Sequence, residues 1–189
     1  MRNLEITVKV NCNYEELNDY LLNNGFKIME KYTCYDRYMI NKNIDITNMD
    51  DLDVISKCVL VRDIGSKKAL TYKIKEYDDN GNIIKQEKID CLINDIDTAI
   101  KFMESIDYKI LFEIYDKLTV YSNGFIEFAT QNIDDKYLFI EMEDTSLYTP
   151  KHDYNNIEDM ISDFDKLGIR YDKSNYFVSK AKMKLKEVR

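Results

Sequence analysis

Apolar and polar residues alternate strictly in Leu4-Glu5-Ile6-Thr7-Val8-Lys9-Val10, and the same period of two returns along much of the chain. Successive side chains of a β-strand point to opposite faces. Leu4, Ile6, Val8 and Val10 therefore share one face, and Glu5, Thr7 and Lys9 the other. A chain patterned in this way builds sheet with one apolar face that needs cover and one polar face.

Strand signals of this kind recur at 26–40 (one or two strands), 58–63, 69–76, 83–91, 108–121, 125–131 and 137–143. Gly65-Ser66, Asp78-Asp79-Asn80-Gly81 and Ser122-Asn123-Gly124 mark turns between them. Three stretches follow helical spacing instead. They are 14–24, ended by Gly25; 94–106, capped by Asn94 or Asp95; and 157–167, ended by Gly168. The segment 41–53 reads as a loop, and the Lys-rich tail from Ser179 as a solvated helix. Many antiparallel strands with few helices predict an α+β fold, a barrel or strongly curved sheet with helices packed on its outside.

The length of 189 residues suits one domain, 1–189. Fifteen Tyr and eight Phe supply a core and argue against disorder. The net charge of −8 repels both the nucleic-acid backbone and an anionic membrane, so neither is expected as a partner. Any anion site must then be a local basic pocket inside an acidic envelope. No apolar run is long enough to span a bilayer. The start shows no signal peptide, and Cys12, Cys34, Cys58 and Cys91 lack metal spacing, which predicts reduced thiols and a cytoplasmic location. Monomer and homodimer are both open. His152, beside Pro150, is expected in a surface loop, and 78–81 lacks the remaining ligands of a calcium loop.

Read at period two, the polar faces offer Glu5, Thr7 and Lys9; Arg62; Thr71, Lys73 and Lys75; Lys85 and Glu87; Lys117 and Thr119; Glu127 and Gln131; Glu141 and Glu143. The plain reading is the solvent side of an antiparallel sheet. The run Phe139-Ile140-Glu141-Met142-Glu143 pulls away from it, because two carboxylates two positions apart on one face call for water or a cation.

These residues also resemble a known family. Glu5-x-Thr7-x-Lys9 resembles the E-x-E-x-K signature of the CYTH superfamily, the triphosphate tunnel metalloenzymes. Asp36-Arg37-Tyr38 is similar to its Q-x-D-x-Y segment, Val59-Leu60-Val61-Arg62 to L-R-x-R, and Leu70-Thr71-Tyr72-Lys73 to L-T-Y-K. Lys85-Gln86-Glu87 is similar to R-x-E, Lys117-Leu118-Thr119 to K-x-R, and Phe139 to Glu143 to F-x-E-x-E. Asn175-Tyr176 is similar to a late S-Y. The motifs stand in family order over nearly the whole chain.

The resemblance implies a closed antiparallel β-barrel, an eight-stranded tunnel, whose lumen grips a triphosphate-containing small molecule. It assigns Lys9, Arg62, Lys73, Lys85 and Lys117 to phosphate, with Lys9 and Lys73 as catalytic candidates. It assigns Glu5, Glu87, Glu141 and Glu143 to Mg²⁺ or Mn²⁺, hard cations suited to carboxylate oxygens. Three activities follow: a metal-dependent triphosphatase of reduced rate, a class IV-type adenylate cyclase, or a binding protein without turnover. Thr7, Leu60, Thr119 and Gln131 depart from the family pattern, removing two acids and two guanidinium groups.

Overall fold

The computed structural model describes residues 4–65, 67–77, 83–144, 146–150, 154 and 156–189, and the side chains of all these except 57 and 83–86. The turn at 78–81 and His152 lie outside the described residues. In chain order the elements are β1 (Glu5–Lys9), α1 (Tyr14–Asn23), β2 (Lys27–Asn41), α2 (Asp51–Ser56), β3 (Lys57–Ile64), β4 (Lys67–Tyr77) and β5 (Ile83–Leu92). They continue with α3 (Ile96–Ser105), β6 (Tyr108–Ser122), β7 (Glu127–Ile133), β8 (Tyr137–Glu143), α4 (Ile157–Asp165) and α5 (Lys180–Val188).

The fold is α+β, and the eight strands form one sheet in the order β1-β8-β7-β6-β2-β3-β4-β5. The pairings with a resolved register are antiparallel. The chain groups into two compact units: Met1–Tyr32 with Asp116–Val178, and Thr33–Tyr115 with Ser179–Arg189. β2 and β6 pass through both.

In the first unit the apolar face of β1 is buried as its alternation requires: Ile6, Val8 and Val10 pack with Leu138, Ile140 and Met142 of β8. Helices α1 and α4 cover this face through Leu17, Leu21, Met160 and Phe164. Asn13 caps α1 by accepting from the Glu16 amide at 2.9 Å, and Asn156 caps α4 in the same way at Asp159. Beyond α1 the chain turns at Gly25, whose φ of +84° is costly for a side-chain-bearing residue.

Segment 170–178 runs along the outer edge of β1. The Thr7 amide donates to the Tyr176 carbonyl at 2.9 Å, the Val178 amide to the Thr7 carbonyl, and the Asp172 amide to the Lys9 carbonyl. The Asn11 amide reaches the Arg170 carbonyl at 3.0 Å. The outward amide and carbonyl of Thr7 and the carbonyl of Lys9 are thus satisfied by this segment.

In the second unit α3 packs Ile96, Ala99 and Met103 on Met39 of β2 and Val61 of β3. Asp95 is its cap, accepting from the Thr98 amide at 2.8 Å. Two assignments read from sequence change. Residues 51–56, placed partly in a polar loop, form α2, because Asp50 caps its start through the Leu52 amide and Val54 and Ile55 are buried. The tail helix α5 is not wholly solvated: Ala181 and Leu185 are buried, and the Arg189 guanidinium reaches Asp51 and the carbonyls of Ile46 and Met49.

Candidate functional site

Cross-strand register decides which side chains share a face. In the first unit one row is Glu5 opposite Glu143, and the next is Thr7, Glu141, Ala129 and Val120. The third is Lys9, Phe139, Gln131 and Leu118. Glu5, Lys9, Glu141 and Glu143 therefore stand on one face, as read from the sequence. That face is only partly polar, since Phe139, Leu118 and Val120 are buried. Gln131 is buried there too, and its Oε1 accepts no hydrogen bond among the described residues. Glu127 holds the segment after β8, its carboxylate accepting from the Leu147 and Tyr148 amides at 2.9 and 2.8 Å.

Lys117 does not join them. It pairs with Asn132, which pairs with Leu138, and so it belongs to the opposite face. Its ammonium is chelated by Asp135 at 2.8 and 2.7 Å. Thr119 shares that face and meets the Tyr14 hydroxyl of α1 at 3.0 Å. The reason is phase: a one-residue difference in strand register carries every side chain to the other side. Thr119 thus occupies a position under a helix and removes no guanidinium from the polar face.

In the second unit Asp36 pairs with Arg62, Leu60 with Thr71, and Thr71 with Asp90. Lys73 follows on the same face, opposite Lys88 and Cys58, with Lys75 beyond it. Glu87 falls on the other face, opposite Ile74, in line with Tyr72 and the Leu70 that packs under α3. Glu87, assigned from sequence to the metal, thus falls away from the face of Lys73 by a one-residue phase, while the side chain of Lys85, assigned to phosphate, lies outside the described ones.

Arg62 is a fixed group. Its Nε and Nη2 grip both oxygens of buried Asp36 at 2.5 and 2.9 Å, and Nη2 also reaches the Cys34 sulfur at 3.4 Å. Burial alone would lower the Arg62 pKa, but the Asp36 charge and its hydrogen bonds raise it above the ordinary arginine value. Burial pushes the Cys34 thiol up to about 11, helped by Asp36. It does the same at Cys58, against the pull of Lys75 and Lys73. Neither thiol is a nucleophile near neutral pH.

Lys73 is the exception in this network. It is half-buried and takes part in no hydrogen bond or ion pair among the described residues. Burial, then Arg62, Lys75 and Lys180, lower its pKa to about 8, with Asp36 the opposing charge. Lys180, at the start of α5, is a residue that sequence reasoning left in a solvated tail. Only its position after the Ser179 cap marked it as fixed. On the same face Asp90 accepts from Thr71 at 2.7 Å and pairs with Lys67 and Lys88. Partial burial opposes its ionisation, but these bonds hold its pKa well below the usual carboxylate range.

The donor set for a cation is of the right type, with Glu5 and Glu143 directly opposed and Glu141 on the same face. Directly opposed residues bring their Cβ atoms to about 5 Å. Among the described residues no three acidic, His or Cys groups yet converge on one point. Hard carboxylate oxygens suit Mg²⁺ or Mn²⁺, so the residues fit the ion in chemistry.

Solved structures share this architecture over nearly the full length. A conserved hypothetical protein of Pyrococcus furiosus aligns at a TM-score of 0.66 with 17% identity, over 100% of both chains. A protein of Pyrococcus horikoshii OT3 aligns at 0.65 with 16% identity, over 96% of this chain and 99% of its own. A Vibrio parahaemolyticus protein provisionally assigned as an adenylate cyclase aligns at 0.60 with 13% identity, over 97% of both. The chain shares the fold of these structures. At these identities the likeness concerns fold alone. No family model matches the sequence, and no curated protein matches it. Among the described residues, no helix is long and apolar enough to cross a membrane.

Proposed function

We propose that this protein binds a triphosphate-bearing small molecule, with Lys73 as the central phosphate contact. The observation that carries the reading is a half-buried lysine without an ion pair, crowded by Arg62, Lys75 and Lys180. Uncompensated positive charge away from water is costly, and an anion with several charges removes that cost. Arg62, held by Asp36, offers its remaining guanidinium edge in a fixed orientation. In the first unit Lys9 is a separate candidate for a phosphate, carried by the resemblance.

Glu5, Glu141 and Glu143 would hold Mg²⁺ or Mn²⁺, which supplies charge neutralisation and a polarised water when bound. The chain's own residues bind and orient the phosphates. Thr7 stands where the resemblance calls for a second acid, and buried Leu60 where it calls for an arginine. Losing one preorganised electrostatic contact commonly lowers turnover about 10²–10³-fold. Binding is therefore better preserved than hydrolysis, and slow triphosphate hydrolysis is the activity assigned.

The test is calorimetric titration of inorganic tripolyphosphate, with and without Mg²⁺, into wild type and Lys73→Met. Saturable binding that Lys73→Met weakens at least tenfold is expected. Equal affinity in the two proteins, or no binding to wild type, overturns the assignment.

A further inference from the structure

β5 stands last in the hydrogen-bonded order of the sheet. It is a long strand, Ile83–Leu92, and each residue from 87 to 92 is exposed. Two of these are large and apolar: Ile89 is 62% exposed and Leu92 71%. Edge strands are usually shortened, bulged, broken by proline or covered, because their unpaired N–H and C=O groups recruit another strand. β5 has no proline, and the one register shift of its ladder with β4 lies at Glu76/Tyr77, away from this stretch.

We infer that β5 is a dimerisation edge, pairing antiparallel with β5 of a second copy of this chain about a two-fold axis at Ile89. Regular antiparallel pairing about a two-fold places residues of equal parity opposite one another, since paired side chains must share a face. Of the allowed registers, centring on Glu87, Lys88 or Asp90 opposes two like charges. Centring on Ile89 opposes the two isoleucines and sets Lys88 of each copy against Asp90 of the other, twice by symmetry. It also places each Leu92 across from Gln86. The strand is therefore self-complementary in charge and apolar at its centre. An isologous contact of this kind closes at two copies and leaves no further edge to propagate. Asp90 already lies beside Lys88 of its own strand at 3.0 Å, so the dimer would build a four-charge ladder from groups that are in place.

The inference is independent of the ligand proposed above, and its test uses no ligand. Mass would be measured by light scattering after size exclusion for wild type, Ile89→Lys and Lys88→Glu. The expected result is a wild-type dimer, with both variants monomeric and unchanged in circular dichroism. In a Cys91→Ser background, Ile89→Cys should form an intermolecular disulfide under mild oxidation, because position 89 meets itself across the axis. Phe125→Cys in the same background, equally exposed but outside β5, should not. A monomeric wild type at 100 μM overturns the inference. So does a dimer that survives Ile89→Lys without crosslinking through Ile89→Cys.

Discussion

At the scale of single residues, Lys73 and Leu60 show how one position sets what a face can do. Lys73 has a pKa of about 8 against an ordinary value of 10.5, so an unfolded chain binds more protons than the native one between those limits. The destabilisation from its charge is fully present below about pH 8 and is relieved as pH rises toward 10.5. A bound polyphosphate reverses the preference by raising the lysine pKa. Tripolyphosphate affinity should therefore hold up to about pH 8 and fall by as much as one decade per pH unit above it. Calorimetry across pH 7 to 10 would read this, and a flat profile in wild type would exclude Lys73 as the contact. Leu60 is fully buried on the same face. Restoring the family's guanidinium as Leu60→Arg would bury a charge without a carboxylate that is not already engaged. It should lower stability by about 3 kcal/mol or more, seen in urea unfolding.

At the scale of elements, register gives different weights to residues that look alike in sequence. Glu87 and Glu141 are both strand carboxylates, yet Glu141 shares a face with Glu5 and Glu143 in the first unit, while in the second Glu87 lies in line with Leu70 under α3. Glu141→Gln should weaken Mg²⁺-dependent enhancement of tripolyphosphate binding about tenfold. Glu87→Gln should leave it within a factor of two, and equal effects would refute the face assignment. Lys117 gives the matching test among cations. It lies on the helix-covered face and pairs with Asp135 of the turn after β7, so Lys117→Ala should not change ligand affinity. An exposed pair of this kind is worth less than about 1 kcal/mol, so the melting temperature should move little as well.

At the scale of the whole molecule, hydrogen exchange separates the two ends of the strand order. The Thr7 and Asn11 amides of the first unit are bonded to the carbonyls of Tyr176 and Arg170. They should be protected like interior strand amides, although β1 is a terminal strand of the sheet. Rapid exchange at Thr7 would mean that segment 170–178 does not hold its place along β1 in solution.

Much of this architecture was legible in the sequence, because strand alternation and helix capping are local. The 4–10 alternation, the Asp95 cap and the Gly25 stop all stand where the residues placed them. Helix α2 was not legible, since its burial of Val54 and Ile55 depends on chain far from it. For the site, the sequence by itself determined that each strand has a polar side, with Glu5 and Lys9 on that of β1 and Glu141 and Glu143 on that of β8. It also determined the residue types that suit phosphate and a hard cation. Only tertiary structure decided the phase of β5 and β6, and with it the exclusion of Glu87 and Lys117 from the polar faces. It also decided that Asp36 locks Arg62, 26 residues away, and that Lys180 of α5 bears on Lys73. The physical reason is that period two defines two faces without saying which meets which across a ladder. That choice is made by hydrogen-bond register and by helices packing from distant parts of the chain.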